Sequence, residues 1–228
     1  MSAVLILYGS RARGEADKSS DTDLILAEPG HGLKPPHISN GVSVHWYSQG
    51  WLHSEAQAGN LFAYHVAFEG VPLHDPHDFL KILRKSFVKK ASYRQEANEA
   101  SLVLNLLIKN SWNDSTAVRR RYFWALRTLL VAEAADHGAP VFSASALEQA
   151  VPVPGLAQLI KQRESASIDD CLAIGKMVLA RCDTEPLHRL TDTQLRDHMM
   201  HRGGMAADSV RLLEEPEMIA GRAHSAYC

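Results

Sequence analysis

Apolar residues near the start of the chain come in short runs separated by glycine, proline and serine. The runs are residues 3–8, 23–27 and 42–47, and the last of them alternates apolar and polar positions. Short apolar or alternating runs with this punctuation are typical of β-strands. The pattern therefore predicts a small sheet in the first third of the chain.

From about Asp78 the spacing of the apolar residues changes to steps of three and four. Two sets follow this spacing: Phe79, Ile82, Leu83 and Phe87, then Val118, Tyr122, Leu126 and Leu129. Apolar positions at such steps lie on one face of an α-helix. Most of the remaining chain is therefore predicted to be helical.

Capping residues predict where some of these helices begin. Asn113 or Asp114 is expected to cap the helix that carries the second apolar set. Ser145 and Glu148 have the spacing of a capping box and are expected to open the next helix. Two further helices are expected at about residues 168–181 and 191–202.

The composition is that of an ordinary globular protein. Of the 228 residues 46% are apolar, and 24 Lys and Arg against 26 Asp and Glu give a net charge of -2. This balance argues against a general binder of nucleic acid or of a membrane surface. The first residues lack the basic flank of a signal peptide, and no apolar run approaches the ~18 residues of a membrane-spanning helix. We therefore expect a cytoplasmic protein with no membrane partner.

Candidate chemistry lies between the first two predicted strands. Gly9 allows a sharp turn and close approach of a ligand to the main chain, and the hydroxyl of Ser10 adds a donor for a phosphate oxygen. Asp21 and Asp23 share one face if a strand begins there, because strand side chains alternate. Two carboxylates at one point suit Mg²⁺ together with phosphate oxygens and water. The spacing thus indicates a Mg²⁺–triphosphate site for in-line phosphoryl-type transfer.

These residues resemble the signature of the DNA polymerase β-like nucleotidyltransferase superfamily. That signature is an apolar strand, Gly-Ser, about ten residues, and then Asp-x-Asp at the start of a second strand. Gly9, Ser10, Asp21 and Asp23 match it, and the form Gly-Ser-Arg-Ala-Arg-Gly is similar to the small bacterial members called minimal nucleotidyltransferases. The resemblance covers about residues 3–75, and the helical remainder is similar in style to the helical partner domains of such modules.

The resemblance implies an α+β fold and a reaction. A small mixed-sheet nucleotidyltransferase domain is expected at residues 1–78, followed by an all-α helical domain at 79–228. The implied activity is Mg²⁺-dependent transfer of a nucleoside monophosphate from a nucleoside triphosphate, expected to be ATP, to an acceptor hydroxyl. Mn²⁺ could replace Mg²⁺. The acceptor could be a small molecule, an RNA or a protein, and a homodimer or a partner protein could complete the site.

The resemblance also implies a role for each candidate residue. Gly9 and Ser10 are expected to bind the β- and γ-phosphates. Arg11 and Arg13 are expected to contact phosphate oxygens, since a guanidinium can bind them through two N–H groups. The two aspartates are expected to be metal ligands and catalytic residues.

A third carboxylate that the superfamily carries on the next strand is missing here. The corresponding residue is Ser43, and His45 is its neighbour on the same strand face. That carboxylate binds metal and accepts a proton from the acceptor hydroxyl, so its loss affects catalysis more than nucleotide binding. His45 could take the proton, because imidazole titrates near neutral pH, and Glu28 or Glu55 could also substitute. The alternative function is a catalytically impaired nucleotide-binding module, antitoxin-like in its regulation.

Two motifs in the predicted helical part remain open to more than one interpretation. Arg-Arg-Arg-Tyr-Phe-Trp at 119–124 combines basic and aromatic residues, as nucleic-acid-binding elements do, but also suits a solvated helix face. Arg196 and His201 have an Arg-x₄-His spacing that resembles HEPN-type ribonucleases. With 12 histidines in the chain such a pair is also expected by chance.

Overall fold

The protein has an α+β architecture in which a five-stranded mixed sheet precedes a run of helices, so the predicted fold class is confirmed. The computed structural model describes residues 2–16, 20–30, 34–110, 115–184 and 190–214. The chain divides into two compact units, Met1–Ala91 and Ser92–Cys228. We call the first the sheet unit and the second the helical unit.

The described residues of the sheet unit form five strands and four helices, and the first helix is a single turn. In chain order they are β1 Val4–Tyr8, α1 Gly9–Ala12, β2 Thr22–Glu28, β3 His37–Ser39, β4 Val42–Ser48, α2 Gln49–Gln57, α3 Leu61–Glu69, β5 Val71–His74 and α4 Phe79–Ser86. The three predicted strands are confirmed as β1, β2 and β4. The two strands that the sequence did not predict, β3 and β5, are only three and four residues long.

The sheet has the strand order β3-β4-β2-β1-β5, so the three predicted strands occupy its centre. β1 is antiparallel to β2 and β5, β2 is parallel to β4, and β4 is antiparallel to β3. Alternate residues of β1 and β2 are buried, among them Ile6 and Ile25, as α3 packs against β1 and α2 against β4. The buried face of the sheet therefore lies beneath α2 and α3.

The end of the sheet unit differs from the boundary that the sequence placed after residue 78. Helix α4 packs against α2 and α3, and its residues Phe79, Leu80 and Leu83 are buried. This packing joins α4 to the sheet unit, which ends at Ala91. Ile82, which the spacing placed on the buried face of the same helix, is instead 47% exposed.

The described residues of the helical unit form seven helices, and the most extensive packing is between the first two. They are α5 Arg94–Lys109, α6 Thr116–His137, α7 Ala144–Ala150, α8 Leu156–Lys161, α9 Ile168–Arg181, α10 Asp192–Arg202 and α11 Gly204–Glu214. Helices α9 and α10 confirm the two predicted for this region. The second apolar set is confirmed as core, because its four side chains on α6 are completely buried. None of the helices within the described ranges has the length and apolar character needed to cross a membrane.

The helix caps differ from those predicted. The prediction that Asn113 or Asp114 caps α6 lies outside the described residues, and the hydroxyl of Ser115 caps this helix. Helix α7 is capped by Ser143, so the predicted capping box that starts at Ser145 is wrong. The helix begins two residues earlier than the sequence indicated, because Ser143 offers the same hydroxyl at a position where the backbone is still extended.

Candidate functional site

Three central strands bring one side chain each into a row across the sheet. Tyr8 of β1 pairs with Asp23 of β2, and Asp23 pairs with Ser43 of β4. Paired residues in neighbouring strands share a face, and the ring of Tyr8 packs edge to face on Phe62 of α3. The row therefore lies on the helix-covered face, at the end of β1 and at the starts of β2 and β4.

Gly9 lies directly against the carboxylate of Asp23. Its φ of +77° is in the left-handed region, and a Cβ at this position would lie 2.7 Å from Asp23 Oδ2. Glycine alone adopts this backbone conformation readily and leaves room for the carboxylate. Gly9 and Asp23 are therefore neighbours in the fold, and Ser10 follows half-buried in α1.

Ser43, which stands where the resemblance implies a third carboxylate, binds the carboxylate of Asp23. Ser43 Oγ donates a hydrogen bond of 2.7 Å to Asp23 Oδ1, and the serine is buried. A hydroxyl that donates to an ionised carboxylate forms a strong, orienting bond. Ser43 therefore fixes the orientation of Asp23 and adds no negative charge to the site.

Asp21 lies one residue before β2 and is exposed. The N–H of Thr22 donates to the carbonyl oxygen of Gly41 at 2.7 Å, and a Cβ at Gly41 would lie 3.8 Å from Asp21 Oδ1. The start of β2 is thus attached to the turn before β4, and this brings Asp21 beside that turn. Since Asp21 and Asp23 are two residues apart, they share a face where the chain is extended.

Arg11 reaches from α1 to the segment that carries the first aspartate. Its Nη2 donates to the carbonyl oxygen of Ser20 at 2.7 Å, and its Nε donates to that of Asp21 at 3.2 Å. One planar guanidinium therefore bridges two consecutive carbonyls immediately before β2.

Arg13 is held by carboxylates. Its guanidinium lies 2.9 Å from Glu69 Oε2 and 2.8 Å from Glu15 Oε2, and Glu69 Oε2 is also 3.0 Å from Nδ1 of His65. Burial opposes the ionisation of Glu69, but the hydrogen bond and charge of His65 and the charge of Arg13 outweigh it and lower its pKa. The His65 ring in turn packs edge to face on Tyr8, with centroids 5.7 Å apart.

Of the residues proposed to replace the third carboxylate, His45 contacts the row. It is two residues beyond Ser43 on the same face of β4, and its ring packs edge to face on Tyr8 at 6.3 Å. Glu28 ends β2, five residues and about 17 Å from Asp23 along an extended strand, and it pairs with Lys34 at 2.8 Å. Glu28 is therefore excluded as a substitute for the third carboxylate. Glu55 lies on α2.

Asp21 and Asp23 are the carboxylates that the candidate site offers to Mg²⁺. Across the parts of the chain that the structure describes, no group of three or more His, Cys, Asp or Glu is arranged to hold a metal ion. Asp21 and Asp23 supply two hard oxygen ligands, and Mg²⁺ commonly binds through one or two carboxylates with phosphate oxygens and water completing its shell. These residues fit one ion that arrives with a nucleotide. A second ion would need another carboxylate, and Ser43 does not supply it.

Sequence reasoning missed the pair His65 and Glu69 and the contacts of the two arginines. The pair has the i,i+4 spacing of neighbours on a helix, and this spacing was the available signal. The partners of Arg11 follow only from the packing of α1 against β2, and those of Arg13 include Glu69 of α3.

Residues 121–124 of the basic and aromatic segment of α6 are buried within the helical unit. Tyr122 is completely buried, and its hydroxyl donates to the carbonyl oxygen of Cys171 at 2.5 Å. Arg121 is only 6% exposed, and Arg119 donates to the carbonyl oxygen of Ala166 at 2.6 Å. The interpretation of the segment as a solvated face is therefore wrong for Arg121, and nucleic-acid binding gains no support.

Arg196 and His201 do not form a joint site. Five residues along an α-helix correspond to a rotation of about 140°, so the two side chains leave different faces of α10. Arg196 pairs with Asp192 at 2.8 Å and with Glu214 at 3.2 Å, which ties α10 to α11. These contacts give Arg196 a structural role, and the ribonuclease interpretation gains no support.

The comparisons with known proteins include a distant likeness to a solved structure. No family model matches the chain, and no curated protein matches it. The crystal structure of a nucleotidyltransferase-like protein from Exiguobacterium sibiricum 255-15 aligns with 95% of this chain and with 74% of its own, at 14% sequence identity and a TM-score of 0.34. The chain is thus similar to that protein over most of its length, at a level that identifies neither a family nor an activity.

Proposed function

We propose that the sheet unit binds a nucleoside triphosphate with Mg²⁺ and transfers its nucleoside monophosphate to an acceptor hydroxyl. The observation that carries the proposal is the contact of Gly9 with Asp23, at the end of the sheet where β1, β2 and β4 meet. It joins a turn suited to phosphate and a pair of aspartates suited to Mg²⁺ at one point. ATP is the nucleotide that we expect, and Mn²⁺ should replace Mg²⁺.

Each residue has a defined part in the proposed reaction. Ser10 and the main-chain N–H groups of its turn donate to the β- and γ-phosphates, and Asp21 and Asp23 hold the metal ion. The ion, when bound, neutralises phosphate charge. The acceptor oxygen forms a bond to the α-phosphorus, the bond to the β-phosphate oxygen breaks, and pyrophosphate leaves. The proton of the acceptor hydroxyl passes to His45, which lies on the same face of the sheet.

A second candidate function is nucleotide binding without turnover, as in an antitoxin-like regulatory module. It is favoured by the hydrogen bond from Ser43 to Asp23, because this serine stands where the resemblance implies a carboxylate. Such a module would keep the site for one Mg²⁺ with a triphosphate and lack the further ligand and base. The two candidates share the binding site and differ only in whether pyrophosphate is released.

The test is incubation of the purified full chain with each α-labelled nucleoside triphosphate and Mg²⁺ or Mn²⁺ in bacterial lysate. The Asp21→Asn/Asp23→Asn double variant serves as the comparison, with circular dichroism to show that it is folded. We expect label on an RNA, protein or small molecule with the unmutated protein only. Removing the two metal ligands should reduce transfer by at least about 100-fold.

Other outcomes have defined meanings. Metal-dependent triphosphate binding that the double variant loses, without any transfer, would favour the regulatory module. In that case Ser43→Asp, which restores a carboxylate beside Asp23, should produce transfer where the unmutated chain shows none. Transfer at full rate by the double variant would refute the assignment of the aspartates.

A further inference from the structure

The two hydrogen bonds of Arg11 connect α1, which contains Gly9 and Ser10, to a proposed metal ligand. Its guanidinium donates to the carbonyl oxygens of Ser20 and Asp21, at 2.7 and 3.2 Å, from a position two residues after Gly9. The Asp21 carbonyl belongs to the same residue as the carboxylate expected to bind Mg²⁺. A change at Arg11 therefore acts on the main chain at Asp21.

Asp21 needs such support more than Asp23 does. Asp23 lies within β2, packs against Gly9 and accepts a hydrogen bond from Ser43. Asp21 is exposed and precedes the strand, and its neighbour Thr22 is held through the Gly41 carbonyl. Arg11 binds the peptide groups on both sides of Asp21, through the carbonyl oxygens of Ser20 and Asp21. Groups that orient metal ligands without touching the metal have large effects on metal affinity.

We propose that Arg11 is a positioning residue that holds Asp21 in place for the metal ion, instead of a ligand of the nucleotide phosphates. The inference rests on the proposed function, since it needs Asp21 to be a metal ligand. Lysine separates the two roles. It keeps the positive charge that a phosphate ligand needs, but its ammonium lacks the planar fork that lets arginine bridge two carbonyls.

The experiment measures Mn²⁺ binding by electron paramagnetic resonance, with the full-length protein and a non-hydrolysable nucleoside triphosphate. Arg11→Lys should raise the Kd for Mn²⁺ by about tenfold, the lower end of the range seen when groups behind metal ligands are removed. The affinity for the same triphosphate without metal should stay unchanged. The measured Kd for Mn²⁺ does not depend on turnover.

Arg84 provides a matched control within the sheet unit. Like Arg11 it is exposed, and its guanidinium donates to two main-chain carbonyls, those of Ala67 and Gly70. Arg84→Lys should leave Mn²⁺ binding unchanged, because neither carbonyl adjoins an aspartate of the site. If both Lys variants lose Mn²⁺ affinity equally, general loosening of the unit explains the result and the inference is overturned.

Two further results would also overturn it. In one, Arg11→Lys binds Mn²⁺ as the unmutated protein does. In the other, Arg11→Ala loses affinity for the metal-free triphosphate and Arg11→Lys keeps it, as a phosphate ligand would. Failure of the proposed function itself is distinguishable, because the unmutated protein would then show no Mn²⁺–triphosphate binding.

Discussion

Two arginine-rich segments of similar composition have different surroundings. In the sheet unit, Arg11 binds the carbonyls just before β2 and Arg13 binds carboxylates, Glu69 among them. Both side chains are at least partly accessible to solvent. The partners of Arg11 lie just before β2. The partners of Arg13 include Glu69 of α3.

In the helical unit, Arg119 and Arg121 of α6 bind neighbouring parts of the same unit. Arg119 donates to the carbonyl oxygen of Ala166, next to the start of α9. Arg121 donates to Ser209 of α11 at 3.2 Å, and its guanidinium lies 5.8 Å from the ring centroid of Trp124. An arginine cluster in the sequence indicates only that donors are available, and the fold decides which groups these donors bind.

The largest effect on stability is expected from Arg121→Ala in the helical unit. The variant removes the packing of a side chain that is only 6% exposed. It also leaves acceptors such as the hydroxyl of Ser209 without the arginine donor. We expect a loss of about 2–4 kcal/mol in the free energy of unfolding, measured with urea.

Arg120→Ala is the control for this variant, because Arg120 is the exposed neighbour on the same helix. Its loss should stay within about 1 kcal/mol. Equal losses for the two variants would contradict the distinction between a buried and a solvated arginine in this segment.

The next effect is expected from alanine at Gly9, the first residue of α1, or at Gly14, two residues after its end. Gly9 and Gly14 have φ values of +77° and +70°, so either substitution should cost about 1–2 kcal/mol of stability. A Cβ at Gly9 would meet the Asp23 carboxylate, whereas at Gly14 nothing lies within 4 Å. Only Gly9→Ala should therefore weaken Mn²⁺ binding in the presence of a non-hydrolysable triphosphate. Equal Mn²⁺ affinity in the two variants would show that the contact with Asp23 is not part of a metal site.

The smallest effect is expected at the carboxylate that holds Arg13. The pKa of Glu69 in the folded protein lies below its ordinary value of 4.5, so the charged form stabilises the fold above pH 4.5. This contribution is lost as the pH falls through the lowered pKa. Glu69→Gln should be less stable by about 1 kcal/mol at pH 7 and should lose less stability than the unmutated chain on acidification below pH 4.5. The free energy of unfolding of both proteins is measured with urea from pH 7 to pH 3. Equal changes with pH in the two proteins would contradict the ion pair.

Much of the sheet unit could be predicted, because the relevant patterns are local. The three central strands, the Gly-Ser turn and the Asp-x-Asp pair follow from alternation and turn chemistry. The short edge strands β3 and β5 could not be predicted, since three or four residues carry little periodicity and become strands only through a partner. Helix α4 has a clear apolar face, but nothing in that face says which unit it packs against.

Alternation along β2 and the need for glycine at a left-handed turn depend on near neighbours in the chain, so the residues themselves already indicated a turn beside two aspartates. The roles of Arg11, Arg13 and Ser43 depend on partners 9, 56 and 20 residues away. Only the pairing of the strands and the packing of α3 on the sheet selected those partners. The type of a side chain determines which hydrogen bonds it can form, and the folded chain determines which acceptors lie within reach.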